Sequence, residues 1–310
     1  MNMLIRRVMR RIRLELSASP EKLFPLRPAL PVPHDISEEK LFEFVTSVRV
    51  ADAPEQEMSA YGSHDFRRFV YTLGLVNGLE GKCLELGANP YFTTMLLERF
   101  TNLELSLANY FGPFPGGLHT QDVFYTDAAN GTKNSKNFSY QHFNVENDPF
   151  PYADGEFDVV IFAEIIEHLL NDPCKVLREI KRVLKPGGHL IVTTPNVARL
   201  ENVARLISGE NIYDPYSGYG PYGRHNREYT HRELVTLLQF EGFDVDEHFT
   251  ADVHENRAAA YADLNYLKGR LQFRKNDLGQ YLFLKVTNTS RASDKVPSWL
   301  YRSRPADQLA

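Results

Sequence analysis

From Lys82 onward, short apolar runs alternate with stretches of helical period. KCLELGA (82–88), LELSLANY (103–110), YQHFNV (140–145), FDVVIFAE (157–164) and HLIVTTP (189–195) read as strands. YFTTMLLERF (91–100) and DPCKVLREIKRVL (172–184) read as the helices between them. Near-continuous apolar strands separated by helices need cover on both faces, which predicts a mostly parallel α/β sheet. FDVDEHFT (243–250) and GQYLFLKVTN (279–288) read as two further strands. The latter alternates apolar and polar positions, as an antiparallel strand does.

The first eighty residues differ in pattern. In Met1–Leu16, residues Leu4, Ile5, Val8, Met9, Ile12 and Leu16 share one helical face, and Arg6, Arg7, Arg10, Arg11 and Arg13 occupy the other. Such a basic amphipathic segment is suited to an anionic membrane surface or to docking on the domain. Five prolines in Pro20–Pro33 read as an extended linker. Ser37 is placed to cap a helix over 38–48, and Phe66, Phe69, Val70 and Leu73 predict another over 64–76. The expected organisation is a basic segment 1–18, a linker 19–36, helices 37–80, a main α/β domain 81–290 with a flap at about 200–230, and a tail 291–310.

Composition narrows the class. Over 310 residues, 43% are hydrophobic and 24% charged, which is ordinary for a globular chain and excludes a largely disordered one. The formal charge of -5 argues against wholesale nucleic-acid binding. Two cysteines, Cys83 and Cys174, exclude a disulfide scaffold or a multi-cysteine zinc site. No apolar run approaches the ~18 residues of a membrane span. The expectation is a cytoplasmic protein, with Met1–Leu16 as a means of peripheral contact at the inner face of the membrane.

In CLELGANPYF a strand ends at Glu85-Leu86-Gly87 and turns into a helix. That puts a carboxylate and a glycine at the carboxyl edge of the sheet, where open α/β sheets bind ligands. Lys185-Pro186-Gly187-Gly188 lacks the phosphate loop's glycine spacing and precedes a strand, so it reads as a turn.

The stretch FNVENDPFPYADGEFDVVIFAEIIEHLLNDPCKVLREIKRVLKPGGHLIVTTPN resembles, element by element, the class I S-adenosylmethionine-dependent methyltransferases, and in particular type 11/23-like members of a bacterial surface-glycan-associated subgroup. The resemblance covers roughly residues 60 to 250. It implies a Rossmann-like, seven-stranded, mostly parallel sheet with helices on both faces and an N-terminal helical extension. It also implies S-adenosylmethionine as cofactor. Glu85 and Gly87 match the family's first motif, which passes the methionine part. Asn109 stands where a carboxylate usually holds the ribose. Asn144 and Val145 match the pair that reads adenine, with a side-chain oxygen facing the exocyclic amine. Ala163 and Glu164 fall beside the expected methyl group. The family's later first-motif glycines are replaced here by Asn89 and Tyr91.

In Glu164-Ile165-Ile166-Glu167-His168, a helical turn puts both carboxylates and the imidazole on one side. With His225, in YGRHNREYT, these could hold Mg²⁺ or another divalent ion. The pattern is similar to that of small-RNA 2′-O-methyltransferases and of ubiquinone-biosynthesis O-methyltransferases, which act on vicinal hydroxyls. Without a metal, His168 is the candidate base and Glu167 its companion. The tyrosine-rich stretch 210–230 is long enough to serve as a flap over the acceptor. The expected reaction is O-methyl transfer to a small-molecule or glycan acceptor, a sugar or glycolipid hydroxyl. The alternatives are a metal-dependent RNA ribose or catechol-type methyltransferase, and a non-catalytic binding module with a degenerate pocket.

Overall fold

The computed structural model describes residues 20–51, 53–113, 115–127 and 130–310. Met1–Leu16 lies outside them. After a single helical turn at Pro20–Leu23 come helices α1 (Glu38–Ser47), α2 (Glu55–His64) and α3 (Phe66–Leu75). Ser37 caps α1, its hydroxyl accepting the Lys40 amide at 3.3 Å, and Leu41, Phe44 and Val45 form the buried stripe. The helix expected over 64–76 is α3, which starts at Phe66. The preceding α2 was not expected, because it buries only Met58 and Gly62 and carries a weak apolar signal.

The sheet strands are β1 (Arg49–Val50), β2 (Glu80–Leu86), β3 (Asn102–Asn109), β4 (Gly117–Thr126), β5 (Lys133–His142), β6 (Phe157–Ala163), β7 (Leu184–Pro195), β8 (Phe243–Ala251) and β9 (Tyr281–Asn288). Their order is β1-β4-β5-β3-β2-β6-β7-β9-β8. The segment β5-β3-β2-β6-β7 is parallel. It crosses over between β2 and β6 as doubly wound sheets do, and the crevice there is the expected ligand position. β9 is antiparallel to both β7 and β8.

The sheet therefore has nine strands among the described residues, two more than the seven expected. The additions are β1 and β4. β4 forms an antiparallel hairpin with β5, from Gly117 opposite His142 to Thr126 opposite Lys133. Only Val123 of β4 is buried, so GLHTQDVFYT carries no apolar run to announce it.

Between the sheet neighbours run α4 (Phe92–Phe100), α5 (Pro173–Val183), α6 (Leu200–Ser208), α7 (His231–Phe240) and α8 (Leu264–Leu271). The alternation of the central strands divides the core. Cys83, Val159, Ile161 and Ile191 face α1, α3 and α4, whereas Leu84, Leu86, Val160, Phe162, Leu190 and Val192 face α5 and α7. Asp172 caps α5 through the Lys175 amide at 3.1 Å. Thr230 and Glu233 form a reciprocal cap on α7. Cys83 and Cys174 are buried and unbridged.

The proline-rich segment is not a free linker. Phe24 and Leu26 are buried against α6 and α8, and the Pro28 carbonyl accepts from Arg67 and Tyr71. The C-terminal tail is likewise docked, with Tyr301 donating to Asp172 at 2.7 Å. No helix among the described residues is long and apolar enough to cross a membrane.

Candidate active site

At the carboxyl ends of β2, β3 and β6 and just past β5 lies a cleft of about 160 Å³. Gly87, Asn109, Asn144, Val145, Glu164 and His168 line it. Ala108, Tyr110, Phe143, Ile165, Leu169 and Tyr222 complete the wall. Glu85 and Ala163 are not among the lining residues. Glu85 points toward α4, accepts from the Thr94 hydroxyl at 2.6 Å, and is pushed up to about 8 by burial against the opposing effect of that bond. Gly87 has φ +70, and a Cβ there would stand 3.0 Å from the Ile165 Cδ1. The turn thus requires glycine and holds the backbone close to the cleft.

Both asparagines line the cleft, and their side chains also hold local structure. Asn109 accepts from the Asn89 amide at 2.7 Å and donates to the Tyr91 hydroxyl at 3.0 Å, so its side chain fastens the loop after β2. The Asn144 oxygen accepts the amides of Glu146 and Asn147 at 2.9 and 3.1 Å. Its lone pairs are used by a local turn rather than aimed outward. Buried Glu146 in turn accepts the amides of Leu170, Asn171 and Asp172 and fixes the loop beyond His168.

The acceptor side is built on the turn after β6. Glu164 has φ +55, a left-handed conformation rare for a non-glycine residue and found where a site demands it. Its amide donates to the Thr193 carbonyl, and its carboxylate accepts from the Thr193 hydroxyl at 2.8 Å. Glu167 is fully buried. One oxygen accepts from Thr194 at 2.8 Å, and the other has no hydrogen-bond partner. That bare oxygen lies 3.9 Å from the His168 Nε2. Burial raises the pKa of both glutamates.

The loop after α6 folds back over this turn. The amides of Asn226 and Arg227 donate to the Glu167 carbonyl, and the Asn226 side chain donates to the His168 carbonyl. This brings His225 beside His168, with ring centroids 5.0 Å apart. His168 Nδ1 meets the Arg224 carbonyl at 2.9 Å, and His225 Nδ1 meets the Glu228 carboxylate at 2.9 Å. Neither partner can donate, so both rings carry the proton on Nδ1 and leave Nε2 open. Burial and the neighbouring His225 push His168 down. Burial works against the charged form of His225 as well, but Glu228 and Glu167 outweigh it and raise its pKa.

Glu167, His168 and His225 each offer a ligand atom within 4.8 Å of the others. Glu164, expected as a fourth ligand, is not in that group. Glu228 was missed, although its place three residues after His225 is a readable spacing. Of the tyrosines expected around the acceptor, Tyr222 alone lines the cleft. Tyr229 is buried in the core, and Tyr213, Tyr216 and Tyr219 are 85–93% exposed.

Residues 117–192 match the family described as Methyltransferase domain. The chain is 34% identical over 107 residues to a probable S-adenosylmethionine-dependent methyltransferase of Mycolicibacterium smegmatis, covering 34% of this chain and 35% of that protein. It is 46% identical over 124 residues to a ubiquinone biosynthesis O-methyltransferase of Marinobacter nauticus, covering 38% and 50%. The chain thus spans half or less of the length of these curated relatives. A solved SAM-dependent methyltransferase from Archaeoglobus fulgidus aligns with a TM-score of 0.45 at 14% identity, over 75% of this chain and 97% of that one. The matched part of the chain is thus similar to S-adenosylmethionine-dependent methyltransferases, which supports an enzyme.

Proposed function

We propose that the protein methylates a hydroxyl oxygen on an acceptor with two neighbouring hydroxyls, a sugar or glycolipid. The reading rests on one observation. The buried carboxylate of Glu167, one oxygen of which is partnerless, and a ring nitrogen from each of His168 and His225 converge beside the cleft.

S-adenosylmethionine supplies the electrophilic methyl group. The residues that line its cleft, Gly87 above all, fit a ligand that lies against backbone. Methyl transfer is an in-line displacement, so the protein's main task is to hold the acceptor oxygen on line. The acceptor hydroxyl must also lose its proton. His168 is neutral at pH 7, because its pKa is lowered, and its Nε2 is free to accept that proton. Tying Nδ1 to the Arg224 carbonyl fixes the tautomer and the direction of the ring.

The same three side chains suit a divalent cation, which would lower the hydroxyl pKa and orient both oxygens. Each imidazole has its outer nitrogen held by a carbonyl or carboxylate, the support that metal-ligating histidines have. Two imidazoles and one carboxylate favour a transition ion such as Mn²⁺, Co²⁺ or Zn²⁺ over Mg²⁺, which prefers oxygen donors.

The exposed faces of Tyr213, Tyr216 and Tyr219, on the loop leading to His225, are suited to stacking on sugar rings of a larger glycan. The basic segment Met1–Leu16 would hold the enzyme at the inner face of the membrane, where a glycolipid acceptor resides. A second reading, a catechol-type acceptor, draws on the similarity to ubiquinone biosynthesis O-methyltransferases. A panel of glycosides, catechols and a short RNA, scored by acceptor-dependent formation of S-adenosylhomocysteine, tests the assignment. Turnover on a glycoside diol supports it. Turnover confined to catechols or RNA replaces it.

A further inference from the structure

A second cluster of ligating side chains lies at the junction of α2 and α3 and shares no residue with the cluster around Glu167. His64 ends α2, Asp65 joins it to α3, and His254 follows β8. Asp65 is 5% exposed. Its Oδ2 accepts from Arg68 at 2.9 Å, while its buried Oδ1 has no hydrogen-bond partner. That oxygen faces two imidazole nitrogens, His64 Nδ1 at 3.4 Å and His254 Nε2 at 3.3 Å.

The tautomer of His254 is fixed by its surroundings. Its Nδ1 lies 3.0 Å from the His64 backbone carbonyl, which only accepts, so Nδ1 carries the proton. The Nε2 lone pair therefore points toward a carboxylate oxygen, and two acceptors face each other. The Tyr281 hydroxyl, 3.3 Å from Nε2, can donate to the nitrogen but leaves Oδ1 bare. The His64 and His254 rings stack with centroids 3.6 Å apart and planes 20° apart, so the exposed His64 ring must turn for both nitrogens to address one ion.

We infer that His64, Asp65 and His254 form a binding site for a zinc-type divalent cation. Two atoms each about 2.0–2.1 Å from a tetrahedral zinc are about 3.3–3.4 Å apart. The two separations from Asp65 Oδ1 match that edge. Two imidazoles and a carboxylate are donors for Zn²⁺, Co²⁺ or Ni²⁺ and poor ones for Mg²⁺ or Ca²⁺. His64 and His254 border an open cleft of about 520 Å³ that also includes Glu201, Glu255 and Arg257. The remaining coordination position is thus available to water or to a ligand entering that cleft. The cation would clip the N-terminal helical layer to the connection between β8 and β9. The Arg68 guanidinium on the other Asp65 oxygen opposes it electrostatically, which sets the affinity below that of a closed structural zinc site.

The test uses the full chain, stripped by chelation and titrated calorimetrically with Zn²⁺, with Co²⁺ absorption as a second readout. His64 is exposed, so His64→Ala leaves the fold intact, and His254→Gln keeps the shape of the second ligand. Wild type should take up one equivalent more than either variant, or bind that equivalent on the order of 100-fold more tightly. His225→Ala, which disturbs the other cluster, should retain this equivalent together with its Co²⁺ absorption band. Identical stoichiometry and affinity in wild type, His64→Ala and His254→Gln would overturn the assignment, as would a wild-type chain that takes up no zinc.

Discussion

Replacing Gly87 by alanine has two separable consequences. The first is backbone cost. At φ +70 an L-residue loses about 1–2 kcal/mol relative to glycine. The second is local. The new Cβ lies 3.0 Å from Ile165 Cδ1 and 3.4 Å from Cγ1, so that side chain must yield by a few tenths of an ångström toward the cleft it lines. Gly187 supplies the control, with φ +79 and nothing within 4 Å of its Cβ position. Both alanine variants should therefore lose about 1–2 kcal/mol, or about 2–8 °C in Tm. Only Gly87→Ala should also weaken S-adenosylhomocysteine binding, by about tenfold or more, which is about 1.4 kcal/mol. Thermal melts and calorimetric titration of both variants give the comparison. Equal affinity of folded Gly87→Ala, Gly187→Ala and wild type would refute the placement of the cofactor against this turn.

Two further outcomes follow from the electrostatics. Glu228→Gln removes the charge that orients His225 and raises its pKa, so turnover or metal affinity should fall about 10–100-fold. The acid limb of the rate profile should also move to lower pH, whereas a merely structural role would leave that limb in place. Glu85 has a folded pKa of about 8 against an ordinary value of 4.5, so the folded state keeps a proton that the unfolded chain releases. The stabilisation present below pH 4.5 is lost as pH rises toward 8. Glu85→Gln cannot titrate, so its melting temperature should gain on wild type between pH 5 and 8. Parallel pH curves would show that Glu85 is not held protonated.

The strands that bury both faces were legible from the sequence, because their apolar residues run without interruption. Leu84 with Leu86 and Val160 with Phe162 fill one side, and Cys83 with Val159 and Ile161 fill the other. The hairpin of β4 and β5 was only half legible. The lysines and asparagines from Lys133 to Asn137 remain at the surface, and backbone pairing holds them in the sheet. Similarly, α2 was hidden by its few apolar contacts. At the site, sequence spacing brought out Glu167, His168 and His225, since the first two are adjacent and the third lies in a conspicuous loop. The partners of Asn109 and Asn144 were not legible. Both side chains bond to backbone or to a residue that folding places nearby, and no spacing rule reveals that. The Asp65–His254 contact was hidden for the same reason, as it joins residues 189 positions apart in sequence.

The central claim is that Glu167, His168 and His225 act on the acceptor of a methyl transfer. Its most direct test is the rate of acceptor-dependent S-adenosylhomocysteine formation by wild type, Glu167→Gln, His168→Ala and His225→Ala on a glycoside diol. Turnover should require the acceptor and drop at least 100-fold in His168→Ala, the range general-base removal gives. Glu167→Gln and His225→Ala should fall with it, while S-adenosylhomocysteine affinity stays near the wild-type value. Undiminished turnover in His168→Ala would contradict the account, as would an enzyme that binds S-adenosylhomocysteine but forms none with any diol.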